Sequence, residues 1–67
     1  MYSLHIIDYS KVRTPDEYNA IVSGAPHYCF KKLHDVRSFI GASLRRGRCG
    51  YYATIGNLDY VVKKISD

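Results

Sequence analysis

Apolar residues alternate with polar ones near both ends of the chain and repeat every three or four residues between them. Residues 2–9 contain Tyr2, Ile6, Ile7 and Tyr9, which are β-branched or aromatic side chains of the kind that strands favour. The adjacent pair Ile6 and Ile7 is the one break in the alternation. This pattern predicts a first strand over residues 2–9.

A short helix is predicted after Thr14. Threonine suits the N-cap position, Pro15 suits the first helical position, and Glu17 stands where a capping box places its acidic residue. Gly24 and Pro26 are expected to end the helix. Its apolar face consists of Tyr18, Ile21 and Val22.

The main helix is predicted over residues 33–47, after a second strand in residues 27–32. Arg45 and Arg46 would lie in its last turn, where the helix dipole favours cations, and Gly47 would take the left-handed cap. Because Lys32 is a poor cap, two residues stay open as the start: His34 and Asp35. The helical period is carried by Leu33, Val36, Phe39, Ile40 and Leu44.

A hairpin is predicted for residues 51–65, with Gly56 and Asn57 as its two-residue loop. If Ile55 opposes Leu58, one side of the hairpin is wholly apolar. That side carries the opposed pairs Ala53 with Tyr60 and Tyr51 with Val62. The other side carries Tyr52, Thr54, Asp59, Val61 and Lys63.

The order of predicted elements is β-α-β-α-β-β, and residues 1–67 have no linker long enough to separate two domains. We therefore expect a single α+β domain. Its sheet should be mostly antiparallel, with the main helix packed on the apolar face and the short helix on that same side.

Composition and charge narrow the classes of partner. The chain has 46% apolar residues, seven tyrosines and a formal net charge of +4, which favours anionic partners. The apolar run before Asp8 is too short for a signal peptide or a membrane span, so we expect a cytoplasmic protein with no membrane partner. Cys29 and Cys49 are expected to be reduced thiols.

A basic surface around the second helix is the sharpest indication of function. On the predicted helix, His34, Arg37 and Arg45 share the outer side, and small residues lie between them at Ser38 and Gly41. An ordinary solvated helix face explains the same pattern equally well. Further cations flank the helix ends at Lys31, Lys32, Arg46 and Arg48, and the aromatic Tyr52 follows.

Catalytic and metal chemistry find little support. His27, Cys29, His34 and Cys49 could supply zinc ligands, but their spacing is not that of structural zinc sites. No nucleophile has a neighbouring base in sequence, and no phosphate-binding loop of the Walker type is present. We therefore expect a non-enzymatic protein without metal or cofactor.

The segment from Phe30 through Leu33, Val36 and Phe39 to Gly47, followed by a tight hairpin, resembles the strand-helix-strand unit of small bacteriophage-encoded accessory proteins. The resemblance covers residues 27–65. It implies a protein that binds and inhibits or modulates a host protein, such as a nucleic-acid enzyme or a defence complex, in the host cytoplasm. It supplies no functional residue that can be transferred.

The leading hypothesis is a protein-binding inhibitor that uses its basic surface. Direct binding of DNA or RNA through the same surface is the alternative. A homodimer formed at an exposed sheet edge is a further alternative. The residues predicted to contact the partner are Arg37, Arg45, Arg46, Arg48 and Tyr52.

Overall fold

Five strands form one antiparallel sheet that carries a helix on each face, in a computed structural model that describes residues 1–47 and 50–65. The strands stand in the order β2-β1-β5-β4-β3. The expected α+β class and the mostly antiparallel sheet are confirmed. In chain order the elements are β1 (Tyr2–Asp8), α1 (Pro15–Ser23), β2 (Tyr28–Phe30), α2 (Leu33–Ile40), β3 (Arg45–Arg46), β4 (Gly50–Ile55) and β5 (Leu58–Lys64).

Strand β1 lies between β2 and β5 and is buried on both faces. Leu4 and Ile7 are completely buried although their side chains point to opposite faces. Ser3 and His5, on the face of Ile7, are also buried. The Ile6–Ile7 pair that breaks the alternation therefore supplies one apolar side chain to each face.

Helix α1 covers the face that carries Ser3, His5 and Ile7. Lys63 Nζ donates to Val22 O in the last turn of α1 at 2.7 Å, and His5 Nε2 lies 3.2 Å from the carbonyl oxygen of Gly24, which caps the helix. The prediction that both helices share the apolar side is therefore wrong. The face of β1 that carries Ser3, His5 and Ile7 is also buried, although it is partly polar, and α1 packs on this face.

The predicted start of α1 is confirmed. Glu17 N donates to Thr14 Oγ1 at 3.2 Å, and the Glu17 carboxylate accepts from Thr14 Oγ1 at 3.2 Å and from Arg13 N at 3.4 Å. The Thr14 hydroxyl thus accepts from the N3 amide as in a capping box, but the returning bond of the Glu17 carboxylate is to the amide of Arg13, one residue before the N-cap. Pro15 occupies the first helical position.

Helix α2 packs on the opposite face, over β1 and β2. Val36 is completely buried and forms the core cluster with Leu4 and Val62. Partly buried side chains surround this cluster: Tyr2, Ile6, Phe30, Leu33, Ile40, Leu44, Tyr51 and Tyr60. The main helix on the apolar face is thus confirmed.

The predicted length of α2 is wrong. The helix ends at Ile40, because Gly41 adopts a left-handed conformation (φ 75°) and its N–H donates to Arg37 O at 2.8 Å. Gly41 therefore takes the role that was expected of Gly47. At its start, Lys32 is the N-cap and makes no side-chain capping bond.

Residues after Gly41 lead into an additional strand. Arg45 and Arg46, expected in the last helical turn, form β3 and pair with Tyr52 and Tyr51 of β4. Leu44 still packs against the core, although it lies in the segment between α2 and β3. Its apolar side chain is therefore explained by burial and not by a continued helix. The part of the chain that the structure describes thus contains one strand more than predicted.

The hairpin of β4 and β5 has the predicted register. Ile55 pairs with Leu58, Ala53 with Tyr60 and Tyr51 with Val62, around the turn at residues 56–57. Strand β2 is shorter than its expected range of residues 27–32. Among residues 1–47 and 50–65, no helix is long and apolar enough to cross a membrane.

Candidate protein-binding surface

Two adjoining hollows contain Arg37 and Arg45, which approach the β4 edge from opposite faces of the sheet. The first, of about 370 Å³, is lined by His34, Arg37, Ser38, Gly41, Ala42 and Ser43. The second, of about 510 Å³, is lined by Ala42, Ser43, Arg45 and residues 52–55. Ala42 and Ser43 belong to both hollows. We call the combined surface the basic groove.

Both arginines of the basic groove are available to a partner. Arg37 and Arg45 are exposed, and within residues 1–47 and 50–65 neither makes an ion pair or a side-chain hydrogen bond. Arg37 lies in the last turn of α2, where the helix dipole already favours a cation. A carboxylate that enters either hollow would meet an arginine that has no other partner among residues 1–47 and 50–65.

The other predicted contacts are distributed differently. Tyr52 lines the groove, and its ring lies against Gly47, where an added Cβ would be 3.3 Å from Tyr52 Cδ1. Arg46 is exposed but follows Arg45 in the strand, so its side chain points to the opposite face of the sheet. Arg48 lies outside the described residues, as does Cys49 of the zinc alternative.

The groove also contains an open strand edge. Tyr9 N donates to Asn57 O at 2.9 Å, and Ile65 N donates to Met1 O at 2.8 Å. Because hydrogen-bonded pairs alternate along an antiparallel ladder, these two bonds show that the backbone groups of the odd-numbered residues of β5 bond to β1. The even-numbered ones bond to β4, so the N–H and C=O of Thr54 point away from β5. In the described part of the chain, β3 pairs with residues 51–52 and leaves the Thr54 backbone without a partner.

Asp59, which the sequence places on the side of the hairpin that is not wholly apolar, is a buried carboxylate. Tyr9 Oη donates to Asp59 Oδ2 at 2.9 Å, and Thr54 Oγ1 donates to Asp59 Oδ1 at 3.1 Å. The hydrogen bond to Asp59 raises the pKa of Tyr9 to about 12. Burial raises the pKa of Tyr18, which lies near the same carboxylate.

The Tyr9–Asp59 pair predicts a loss of stability at alkaline pH. Because the folded state raises the pKa of Tyr9 from 10.0 to about 12, the unfolded chain loses this proton first as the pH rises. The stabilisation is complete below pH 10 and disappears as the pH approaches 12. Urea unfolding across this range should show a smaller decline for Tyr9→Phe than for the wild type.

Tyr28→Phe is the matched control for this experiment, because it removes an exposed hydroxyl outside the Asp59 network. Its decline should follow that of the wild type. Equal alkaline declines in the wild type and Tyr9→Phe would show that the Tyr9–Asp59 hydrogen bond does not stabilise the fold.

A second surface, which the sequence did not indicate, lies at the β2 edge of the sheet. The rings of Tyr28 and Phe39 are 4.8 Å apart, and those of Phe30 and Phe39 are 5.5 Å apart. Tyr28 is 47% exposed and Phe39 is 49% exposed. We call these three side chains the aromatic cluster. The sequence did not indicate this cluster because the helical period places Phe39 on the apolar face of α2. The order of the strands, which brings Phe39 beside Tyr28, does not follow from the sequence.

Metal ligands do not converge in the part of the chain that the structure describes. Residues 1–47 and 50–65 contain no group of three or more His, Cys, Asp or Glu side chains that could hold an ion. Cys29 is an exposed free thiol. His5 is buried, and its Nδ1 has no hydrogen-bond partner among these residues.

Comparison of the chain with protein-family models, with curated proteins and with solved structures gives no match. The function must therefore be inferred from the two surfaces themselves.

Proposed function

We propose that this protein is a non-enzymatic binding protein whose basic groove holds an acidic segment of a partner protein. The observation that carries the proposal is the position of Arg37 and Arg45, both exposed and unpaired within residues 1–47 and 50–65, along one groove. Arginine forms strong, directional hydrogen bonds with carboxylates, so two such groups beside Tyr52 are suited to a few dominant contacts.

A protein partner fits the groove better than a nucleic acid does. The Thr54 N–H and C=O offer an incoming extended peptide the hydrogen bonds of an added strand. The exposed arginines near the groove are divided between the two faces of the sheet, Arg45 on the face of Tyr52 and both Arg37 and Arg46 on the face of α2. They therefore do not form one track along a phosphate backbone. Direct nucleic-acid binding is therefore the alternative that the experiment must distinguish from protein binding.

The resemblance to phage-encoded accessory proteins adds a biological role to this proposal. In that role the partner is a host protein, and occupation of its acidic segment inhibits or modulates it. Cytoplasmic location and inhibition both stay predictions, since they follow from the resemblance and from the amino-terminal sequence.

The test compares two double variants with the same change in charge. Arg37→Glu with Arg45→Glu reverses the groove, whereas Lys11→Glu with Arg13→Glu reverses exposed cations in the loop after β1, two strands away from β4. A partner purified with the wild-type chain should bind the groove variant at least tenfold more weakly (about 1.4 kcal/mol), as measured by calorimetry. The control should bind within about threefold of the wild type.

Equal weakening in both double variants would assign the effect to net charge and would contradict the groove. The nucleic-acid alternative requires that wild-type protein binds DNA or RNA at low salt and loses affinity steeply as salt increases. Such binding, abolished by the groove variant but not by the control, would replace the protein partner with a nucleic acid.

A further inference from the structure

The β2 edge of the sheet, which lies opposite the edge formed by β3, has the properties of a self-complementary interface. Strand β2 is an edge strand, and β1 is its neighbour in the sheet. The bond from Ile65 N to Met1 O directs the odd-numbered residues of β1 toward β5 and the even-numbered ones toward β2. Tyr28 and Phe30, which pair with Leu4 and Tyr2, therefore bond inward.

Cys29 consequently turns its backbone outward. Its N–H and C=O have no partner in residues 1–47 and 50–65 and stand at the centre of the open edge. Its side chain is exposed and points to the face of Ser3, away from the aromatic cluster. An unpaired edge of this kind is a template for another strand.

From these features we infer that two copies of this chain pair through β2, antiparallel and centred on Cys29, to form one continuous sheet. The two-fold axis passes between the two Cys29 residues. On the side of α2, Tyr28 of each copy then faces Phe30 of the other. The aromatic clusters of the two copies therefore make two equivalent contacts, one on each side of the two-fold axis. A strand of different sequence does not reproduce this reciprocal match.

The position of α2 supports the same arrangement. Each α2 packs over β1 and β2, and neighbouring strands are about 4.8 Å apart. The axes of the two α2 helices would then be separated by two strand spacings, about 10 Å, which is the normal distance for packed helices. The exposed ring of Phe39 stands beside Tyr28 and would fill the space between them.

Charge sets the conditions under which the dimer forms. Each copy has a net charge of +4, and the exposed Lys31 follows β2. In the proposed register Lys31 of one copy faces His27 of the other, not a second lysine. Repulsion between the copies should still weaken association at low salt, so the dimer should become tighter as salt increases.

The first test measures the mass by sedimentation over a range of concentrations from micromolar to millimolar. We expect a monomer–dimer equilibrium in the wild type. Cys29→Pro should weaken it at least tenfold, because proline removes an N–H that has no bond inside the chain and blocks only the open edge. Circular dichroism should show that this variant is folded.

Phe39→Glu is a second variant that leaves the backbone of β2 intact. It should weaken the dimer by a similar factor, because it places two carboxylates in the joined aromatic clusters. The double variant Arg37→Glu with Arg45→Glu should still dimerise, since its changes lie in the basic groove. A wild-type monomer at every concentration would overturn the proposal, as would a dimer unaffected by both Cys29→Pro and Phe39→Glu.

The second test uses the thiol on the symmetry axis. Paired Cα atoms of Cys29 would be about 5.5 Å apart, which is within the range that a disulfide spans. In Cys49→Ser protein, the oxidant diamide should take two electrons and two protons from two Cys29 thiols and link them. The control variant has Cys29→Ser, Cys49→Ser and Ser23→Cys, so that its one thiol lies away from β2. This control should form the disulfide-linked dimer at least tenfold more slowly. Equal rates of linking in the two proteins would overturn the proposed register.

Discussion

Gly50→Ala is expected to remove most of the stability of the fold. Gly50 has a φ of 153°, and an added Cβ would lie 2.1 Å from the carbonyl oxygen of Val62. Both the backbone conformation and the contact with β5 oppose a side chain here, so we expect a loss of at least about 3 kcal/mol. A chain of this length has roughly 3–10 kcal/mol in total.

Urea unfolding followed by circular dichroism measures this effect, with Gly41→Ala as the matched control. Gly41 also has a positive φ, 75°, but an added Cβ would meet nothing within 4 Å. Its substitution should cost about 1 kcal/mol, for conformation alone. Similar losses in the two variants would contradict the close approach of β4 and β5 at Gly50.

Leu4→Ala is expected to have the second large effect. Leu4 is completely buried on the interior strand β1 and packs with Val36 and Val62. Its truncation leaves a cavity between sheet and α2, which should lower the free energy of unfolding by about 2–5 kcal/mol. In so small a domain this loss should unfold a large fraction of the molecules at room temperature.

Ile55→Ala provides the comparison, since it shortens a large apolar side chain at the exposed end of the hairpin. Its cost should be below about 1 kcal/mol. Thermal unfolding of both variants gives the two values. If Leu4→Ala were no more destabilising than Ile55→Ala, the core would not be centred on Leu4.

Local signals in the sequence were sufficient where neighbouring residues determine the structure. The bonds between Thr14 and Glu17 define the start of α1, and the turn at residues 56–57 with its flanking apolar residues defines the hairpin register. In both cases the interacting groups are close in the chain. No knowledge of the remaining fold was needed.

Tertiary packing decided the features that the sequence did not reveal. Gly41 and Gly47 are both suited to end α2, and Leu44 continues the helical period although it reaches the core from a connecting segment. Burial of β1 on both faces, which separates the two helices, depends on the order of strands. The adjacent pair Ile6 and Ile7 is consistent with a strand that is buried on both faces. A single interruption of the alternation has several explanations, however, so it did not predict this burial.

The candidate site was predicted in part. Arg37 lines one hollow of the groove, and Arg45 and Tyr52 line the adjoining one. Pairing between β3 and β4, not a helix face, brings Arg45 and Tyr52 together. The open backbone of Thr54 and the aromatic cluster could not be predicted, because both follow from which strands lie at the edges of the sheet. The two edges present different chemistry, cationic beside β4 and aromatic beside β2.

The central claim is that the groove beside Arg45 and Thr54 receives an acidic strand of a partner. Its most direct test is an NMR titration of labelled protein with the partner recovered by affinity purification. We predict the largest amide shifts in residues 42–45 and 52–55, together with slowed hydrogen exchange of the Thr54 amide. Largest shifts elsewhere, with the exchange of Thr54 unchanged, would contradict the claim.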